Sequence, residues 1–450
     1  MKPQRSKRRE SRNAAADMGL VDHPLRRQVV GEMQLRRFPA FSPPARIVQI
    51  VRLVEDRVAE AEALTQLLPD FDPAARHAER LCGADMRLGW ERHSEASTMT
   101  MVITGDAGTG AGTGTGAGAG VWNWTLPPDT ALIDTLPGTV VRASHLIVID
   151  GEDEAAAAAD AAGFAGHQLV TCHVRSPSGG RARLWTDFRI HDDGYGRMVV
   201  ASLDMPSADL ARCVQQLQEL GNYRNLALIG LSEARKAWTA LDALEGALEG
   251  VGQSLAKGDR RDDELLESLT SLSAQLLSID SRCGYRMSAT AAYARIVASR
   301  LDQLRVEPIA GYQSLADFTE RRFHPAIQTC AALTDRLALL NARAAQFTAL
   351  LRTRIETHIE NQNARLLASM DESARMQLRL QHLVEGLSAV AISYYLIGLI
   401  AYPLKAAEKH WPAFSATLWL GMLVPPVILV LILSMRRVRH RLVSSDKGTH

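Results

Sequence analysis

Residues 90–95, Trp90-Glu91-Arg92-His93-Ser94-Glu95, bring a carboxylate, an imidazole and a hydroxyl together, the side-chain types that general acid–base catalysis uses. Alternation along a strand puts Glu91, His93 and Glu95 on one face and Arg92 and Ser94 on the other, so an exposed charged face is expected instead of catalytic machinery. His191-Asp192-Asp193-Gly194 contains metal-ligating types but no spaced set of further ligands, and it reads as a turn. No HExxH, CxxC, GxSxG or kinase signature occurs, and neither a cofactor nor a metal is expected. From Gly108 to Gly120 the glycines stand two apart, never at the odd offset of GxGxxG, and no Lys-Ser/Thr follows as a P-loop demands. Cys82, Cys172, Cys213, Cys283 and Cys330 are odd in number with no close pair, which fits reduced, semi-buried thiols.

A second constellation lies near the C-terminus. Met370, Ala374, Gln377, Gln381, Val384, Ser388, Ala391, Tyr395, Gly398 and Tyr402 recur at alternating spacings of four and three, so one helix face stays small or polar. Several copies around an axis would let Gln377, Gln381, Ser388, Ala391, Tyr395, Gly398 and Tyr402 line an aqueous path, hydroxyls and amides replacing an ion's hydration. The other reading is close helix packing in a bilayer, which small residues permit.

Positioning such a stripe takes a long helix. Cys330, Leu333, Leu337, Leu340, Ala344, Phe347 and Leu351 form one apolar seam, and no proline interrupts the chain between Pro325 and Pro403. Residues 386–404 carry no charged side chain over about the length that crosses a bilayer. Residues 412–435 are again free of charge and lead into Arg436, Arg437, Arg439 and Arg441, a cluster that marks a cytoplasmic end. The expectation is a two-helix transmembrane hairpin with a basic cytosolic tail at 436–450. The lipid bilayer is then a partner, and both termini lie on the cytoplasmic side of a bacterial inner membrane.

Upstream, residues 1–22 read as a basic disordered tail and 23–205 as a cytosolic α+β domain, a sandwich or plait. A strand is expected at 45–54, helices at 55–68 and 73–81, the second opened by Asp72 and Pro73, and strands at 86–92, 98–104, 140–150, 168–175, 183–190 and 197–204. Ser178-Gly179-Gly180 and Asp193-Gly194 signal hairpins. The Gly-rich insert 105–120 and the Ala-rich acidic insert 151–166 read as surface loops. Residues 206–385 form a helical stalk domain of helices 207–220, 222–255 and 261–304 plus the long helix, with breaks at Gly258-Asp259 and 308–311. With 51 basic and 50 acidic residues the net charge is +1, which argues against a nucleic-acid partner.

The segments HPLR at His23, RFPAFSPPAR, WERHSE at Trp90, WTDFRIHDDGYGRMVV at Trp185, ARCVQQLQELGNYRNLALIGL at Ala211, MSATAAYARIVASRL at Met287, RRFHPAIQTC at Arg321 and LLRTRIETHIENQNARLLASM at Leu350 carry a resemblance. So does LRLQHLVEGLSAVAISYYLIGLIAYPLKA at Leu378. Together they resemble the bacterial membrane-anchored family of domain of unknown function 3422, which implies the same layout and no assigned reaction. In architecture the chain is also similar to CorA-type magnesium transporters, a likeness of layout alone. Where those carry Tyr-Gly-Met-Asn, this chain has Tyr402-Pro403-Leu404-Lys405, and Lys405 at a pore mouth would repel cations. The expected function is a non-enzymatic membrane scaffold or sensor. Its alternative is a CorA-like homo-oligomeric conduit for an unassigned ion, and third comes an enzyme with an unrecognised site.

Overall fold

The computed structural model describes residues 23–26, 29–30, 41–69, 71–105, 122, 133–410 and 415–445. The expected tail 1–22 and the Gly-rich insert beyond Gly105 lie outside them. Among the described residues nine strands are formed, β1 (Ala45–Leu53), β2 (His77–Cys82), β3 (Met86–Arg92), β4 (Ala96–Thr104), β5 (Thr139–Asp150), β6 (Val170–Arg175), β7 (Arg181–Ile190), β8 (Gly196–Ser202) and β9 (Val306–Pro308). The helices are α1 (Arg57–Leu67), α2 (Glu152–Asp160), α3 (Ser207–Lys257), α4 (Asp262–Gln303), α5 (Leu315–Arg322), α6 (His324–His410) and α7 (Ala416–Ser445). Two compact units divide the chain, Met1–Phe347 and Thr348–His450.

In the first unit the strands make one sheet in the order β2-β3-β4-β1-β5-β8-β7-β6-β9, antiparallel throughout except for β5 beside β8. The fold is α+β as expected, but a single mixed sheet replaces the sandwich or plait. Alternation along the central β1 explains the layering. Ala45, Ile47 and Val51 join Leu210, Val214 and Leu217 of α3 in one core, while Val48 and Ile50 join Leu64 and Leu67 of α1 in another. Ile147 and Ile149 of β5 pack with Ala155 and Ala158 of α2 in a third.

Several local expectations give way to tertiary partners. The Asp72 carboxylate does accept a backbone N–H, from Ala74 at 2.9 Å, but it closes a turn instead of opening a helix, because residues 77–82 pair with β3. The insert 151–166 is not a solvated loop: its alanines form α2, and Trp122 Nε1 donates to Ala158 O at 3.1 Å. The expected break after Leu220 is absent, and α3 runs unbroken through Gly221. The break expected at 308–311 adds a short edge strand, β9, on β6. Helix α6 continues past Leu404, with Pro403 inside it, to His410, and α7 carries helix through Arg436, Arg437, Arg439 and Arg441 to Ser445, into the segment read as the basic tail.

Helix α3 ends at Gly258 in the left-handed conformation (φ 67°), which turns the chain into the antiparallel α4. At Gly230 a Cβ would lie 2.1 Å from Thr290 Oγ1 of α4, so only glycine permits this approach. The start of α6 lies parallel to the end of α3, with Arg336 bridging Asp242 (2.6 Å) and Glu245 (2.5 Å) and the Phe347 ring occupying the space above Gly252.

Opposite α3, Arg46 is fully buried and its Nη1 lies 2.5 Å from His145 Nε2. A guanidinium only donates, so Nε2 accepts and the imidazole is neutral. Burial, then the Arg46 charge, pushes the His145 pKa down to about 3. Between pH 6.5 and 3 the unfolded chain therefore binds a proton that the folded chain refuses, and stability falls as pH drops through that window. Denaturation of His145→Gln should show a flatter pH profile there than wild type, by on the order of a few kcal/mol, with no difference in slope above pH 7. Gly230→Ala should cost about 1–3 kcal/mol despite the better helix propensity of alanine, and Thr290→Ala should recover part of the loss in a double-mutant denaturation cycle.

Candidate functional site

Where α3 crosses the β2-β3-β4-β1 end of the sheet, the facing side chains are polar. The register His77↔Glu91↔Thr98 and Glu79↔Gly89↔Thr100↔Gln49 places these residues in two cross-strand rows on one face. Helix α3 answers with Gln215, Gln218, Glu219, Asn222 and Tyr223, spaced three and four apart on one side. Between them lies a cleft of about 90 Å³.

A hydrogen-bonded seam floors the cleft. Gln49 Nε2 donates to Thr100 Oγ1 at 2.9 Å, Arg142 Nη1 donates to Gln49 Oε1 (3.1 Å) and Asn222 Oδ1 (2.8 Å), and Ser144 Oγ donates to Gln218 Oε1 at 3.0 Å. Gln218 Nε2 is buried without a hydrogen-bond partner among the described residues. Of the carboxylates, Glu79 is paired with Arg87 at 2.8 Å and Glu219 with Arg300 at 2.5 Å. The cleft offers donors and acceptors suited to holding a polar ligand.

The 90–95 cluster is not one exposed face, because β3 ends at Arg92 and residues 93–95 turn back into β4, His93 N donating to Ala96 O at 2.8 Å. Trp90 enters the core and donates to Glu60 Oε1 at 3.2 Å. His93 Nε2 lies 3.0 Å from Thr98 Oγ1, and both side chains line the cleft together with Glu91. Glu95 leaves the sheet entirely, accepting from Tyr293 Oη at 2.9 Å and pairing with Arg286 at 2.7 Å, both on α4. Burial, with Glu95 adding to it, pushes the Tyr293 pKa up to about 12, so the phenol remains a donor. His191-Asp192-Asp193-Gly194 is the expected turn, closed by His191 N on Tyr195 O at 3.0 Å.

In the second unit the stripe residues Gln377, Gln381, Ser388, Ala391, Tyr395, Gly398 and Tyr402 are all exposed on α6, Tyr395 by 71% and Tyr402 by 76%. Covered positions in the same stretch, Ala389, Ser393, Ile397, Ile400 and Leu404, sit on the opposite side of the helix. Helix α7 is likewise covered on one side, at Ala416, Leu420, Leu423, Val424 and Val427. Sequence alone points to this stripe and, on the sheet side of the cleft, to Trp90, Glu91 and His93, but not to the α3 side. The signal for the α3 side is Gln218 and Asn222, amides at helical spacing among the apolar residues of its buried face, with Gln215 one turn before them.

Fold and site together define a mixed-sheet body with a polar cleft, followed by a C-terminal helix with a stretch of mean hydropathy 1.8, 6% buried, long and apolar enough to cross a membrane. A family model described as "Protein of unknown function (DUF3422)" matches residues 21–442, and the chain belongs to that family. No curated protein matches it. Among solved structures, "structure of the full-length CmaX protein" is similar at 14% identity, covering 71% of this chain and 91% of that one with a TM-score of 0.23, too loose a likeness to define a shared fold.

Glu95→Ala should cost about 1–3 kcal/mol by chemical denaturation, since it strands Arg286 and Tyr293 partly buried. Combining it with Tyr293→Phe should be clearly less than additive.

Proposed function

We propose that the chain is a membrane-anchored scaffold or sensor without catalytic activity, its sheet body held at the surface of a bacterial inner membrane. One observation carries this reading: residues 386–404 have no charge, and Leu387, Val390, Ile392, Leu399 and Tyr402 of that stretch are all more than half exposed. A continuous apolar surface of this kind in water is far outside what a soluble monomer tolerates, and a bilayer removes the penalty. The covered faces of α6 and α7 support a hairpin of two crossings, although α7 contains Pro425 and Pro426. Arg436, Arg437, Arg439 and Arg441 then favour a cytoplasmic C-terminus, and with two crossings the body lies on the same side.

A second reading, a homo-oligomeric conduit, draws on the free stripe. Ser388, Tyr395 and Tyr402 lie away from the covered face of α6, so a ring of copies could bring them to one axis. Lys405 weighs against cation passage.

Protease added to inside-out vesicles should digest the body and spare the short link near residue 411; a shielded body would sink the topology. Size in detergent then separates the readings. A monomer or dimer in which Ser388→Cys and Tyr395→Cys resist water-soluble thiol reagents supports the scaffold. A larger ring in which they react, while Val390→Cys and Ile397→Cys do not, supports the conduit.

A further inference from the structure

On the other flank of α3 from the cleft, a second cavity of about 150 Å³ lies between α3 and strands β5, β7 and β8. Its charged lining consists of Arg142, Arg189, Arg197 and Arg224, with no Asp or Glu. Arg197 is neutralised by Asp193 at 2.8 Å. The other three have no carboxylate partner among the described residues. Arg142 is held by the neutral oxygens of Gln49 and Asn222, and Gly221 lets it lie against the helix backbone, where a Cβ would come within 2.7 Å of its Nε. Arg224 rests 4.3 Å above the Phe188 ring, its Nη2 reaches Asn225 Oδ1 only at 3.5 Å, and its Nη1 is buried with no hydrogen-bond partner among the described residues.

Local backbone geometry keeps this space open. The β7–β8 register shifts between Thr186 and Ile190, and within the shift Phe188 adopts φ 54°, a left-handed conformation that is costly for a bulky residue. Asp187 pins the bulge by accepting from Arg189 N at 3.1 Å, and Phe318 stacks on Phe188 at 4.2 Å. Burial lowers the Arg142 pKa to about 9 and that of Arg224 to about 10, and the Arg224 charge adds to the effect on Arg142. Two shielded guanidiniums that repel each other are an unfavourable arrangement that a bound anion would reverse.

We propose that this cavity binds a tetrahedral oxyanion, either free phosphate or the phosphate group of a small ester, between the guanidiniums of Arg142 and Arg224, with Arg189 at the rim. Forks on two sides match a centre bearing three or four oxygens better than a planar carboxylate, which one fork can satisfy. Met198, Leu217, Leu220 and Leu315 supply an apolar wall against which the carbon part of an ester would pack. The site is independent of the membrane reading and stands or falls separately from it.

Titration calorimetry of the full-length protein in detergent, with chloride at matched ionic strength as the baseline, tests the site using inorganic phosphate and phenyl phosphate. Saturable binding to wild type is expected, weakened roughly tenfold or more by Arg142→Gln, Arg224→Met and the charge-conserving Arg224→Lys. In chloride, Arg224→Met should match or exceed the wild-type Tm, since it removes an unpaired buried charge. Tighter binding of phenyl phosphate identifies an ester as the natural source; equal or weaker binding identifies the free ion. The proposal is overturned if neither probe binds, or if binding is unchanged in all three variants. A large Tm loss for Arg224→Met in chloride with unchanged phosphate affinity would also overturn it, making Arg224 a prop for Phe188.

Discussion

The first unit depends on a mismatch of length. Helix α3 has 51 residues and spans about 75 Å, whereas the longest strand, of 12 residues, reaches about 40 Å. The helix therefore covers the sheet with its first half only, through Leu210, Val214, Leu217 and Leu220. Its second half, with Ala234, Leu241, Leu248 and Val251 buried, needs other helices. Helix α4 and the start of α6 meet that need, and Gly230 and Gly252 set how closely they approach. Sheet layer and helical layer are thus two ends of one element.

That arrangement also explains why so much polarity is buried at the sheet. Gln49, Arg142, Ser144, Gln218 and Asn222 lie where α3 passes over β1 and β5, and each makes at least one hydrogen bond there. A guanidinium taken out of water costs several kcal/mol unless its donors are met, so the neutral amides opposite Arg142 are part of the fold. They meet only part of its capacity. The remainder faces the second cavity, where Arg224 is no better provided. A polar seam of this kind lowers stability relative to an apolar one but leaves recognition groups at a defined depth.

In the second unit the balance is reversed, with apolar groups outside and little covered. From Arg352 to Val384 every position of α6 except Ile355 is exposed, including Leu366, Leu367, Met370 and Leu380. A helix in water draws most of its stability from packing, which this stretch lacks, and the charge-free stretch after it is long and apolar enough to cross a membrane.

How much could be read without coordinates follows from where each signal resides. Strand β3 was legible to the residue, and β1, β4 and β5 nearly so, because alternation and β-branched content act locally. The seam from Cys330 to Leu351 was legible because a buried face repeats every three to four residues. Residues 73–81 were misread because Asp72 and Pro73 offer a local helix start, whereas the strand there depends on β3. The alanines after Gly151 looked solvated because their burial is supplied by Trp122 and Trp185, distant in the chain. Gly221 looked like a break, since nothing nearby in sequence announces that Arg142 fills the space beside it. The sequence by itself determined the periodic elements and the apolar C-terminal stretches, properties of neighbouring residues. Only the tertiary structure decided the single sheet, the course of α3 across it and the carboxylate-free arginine cavity, since each arises from residues brought together across tens of positions.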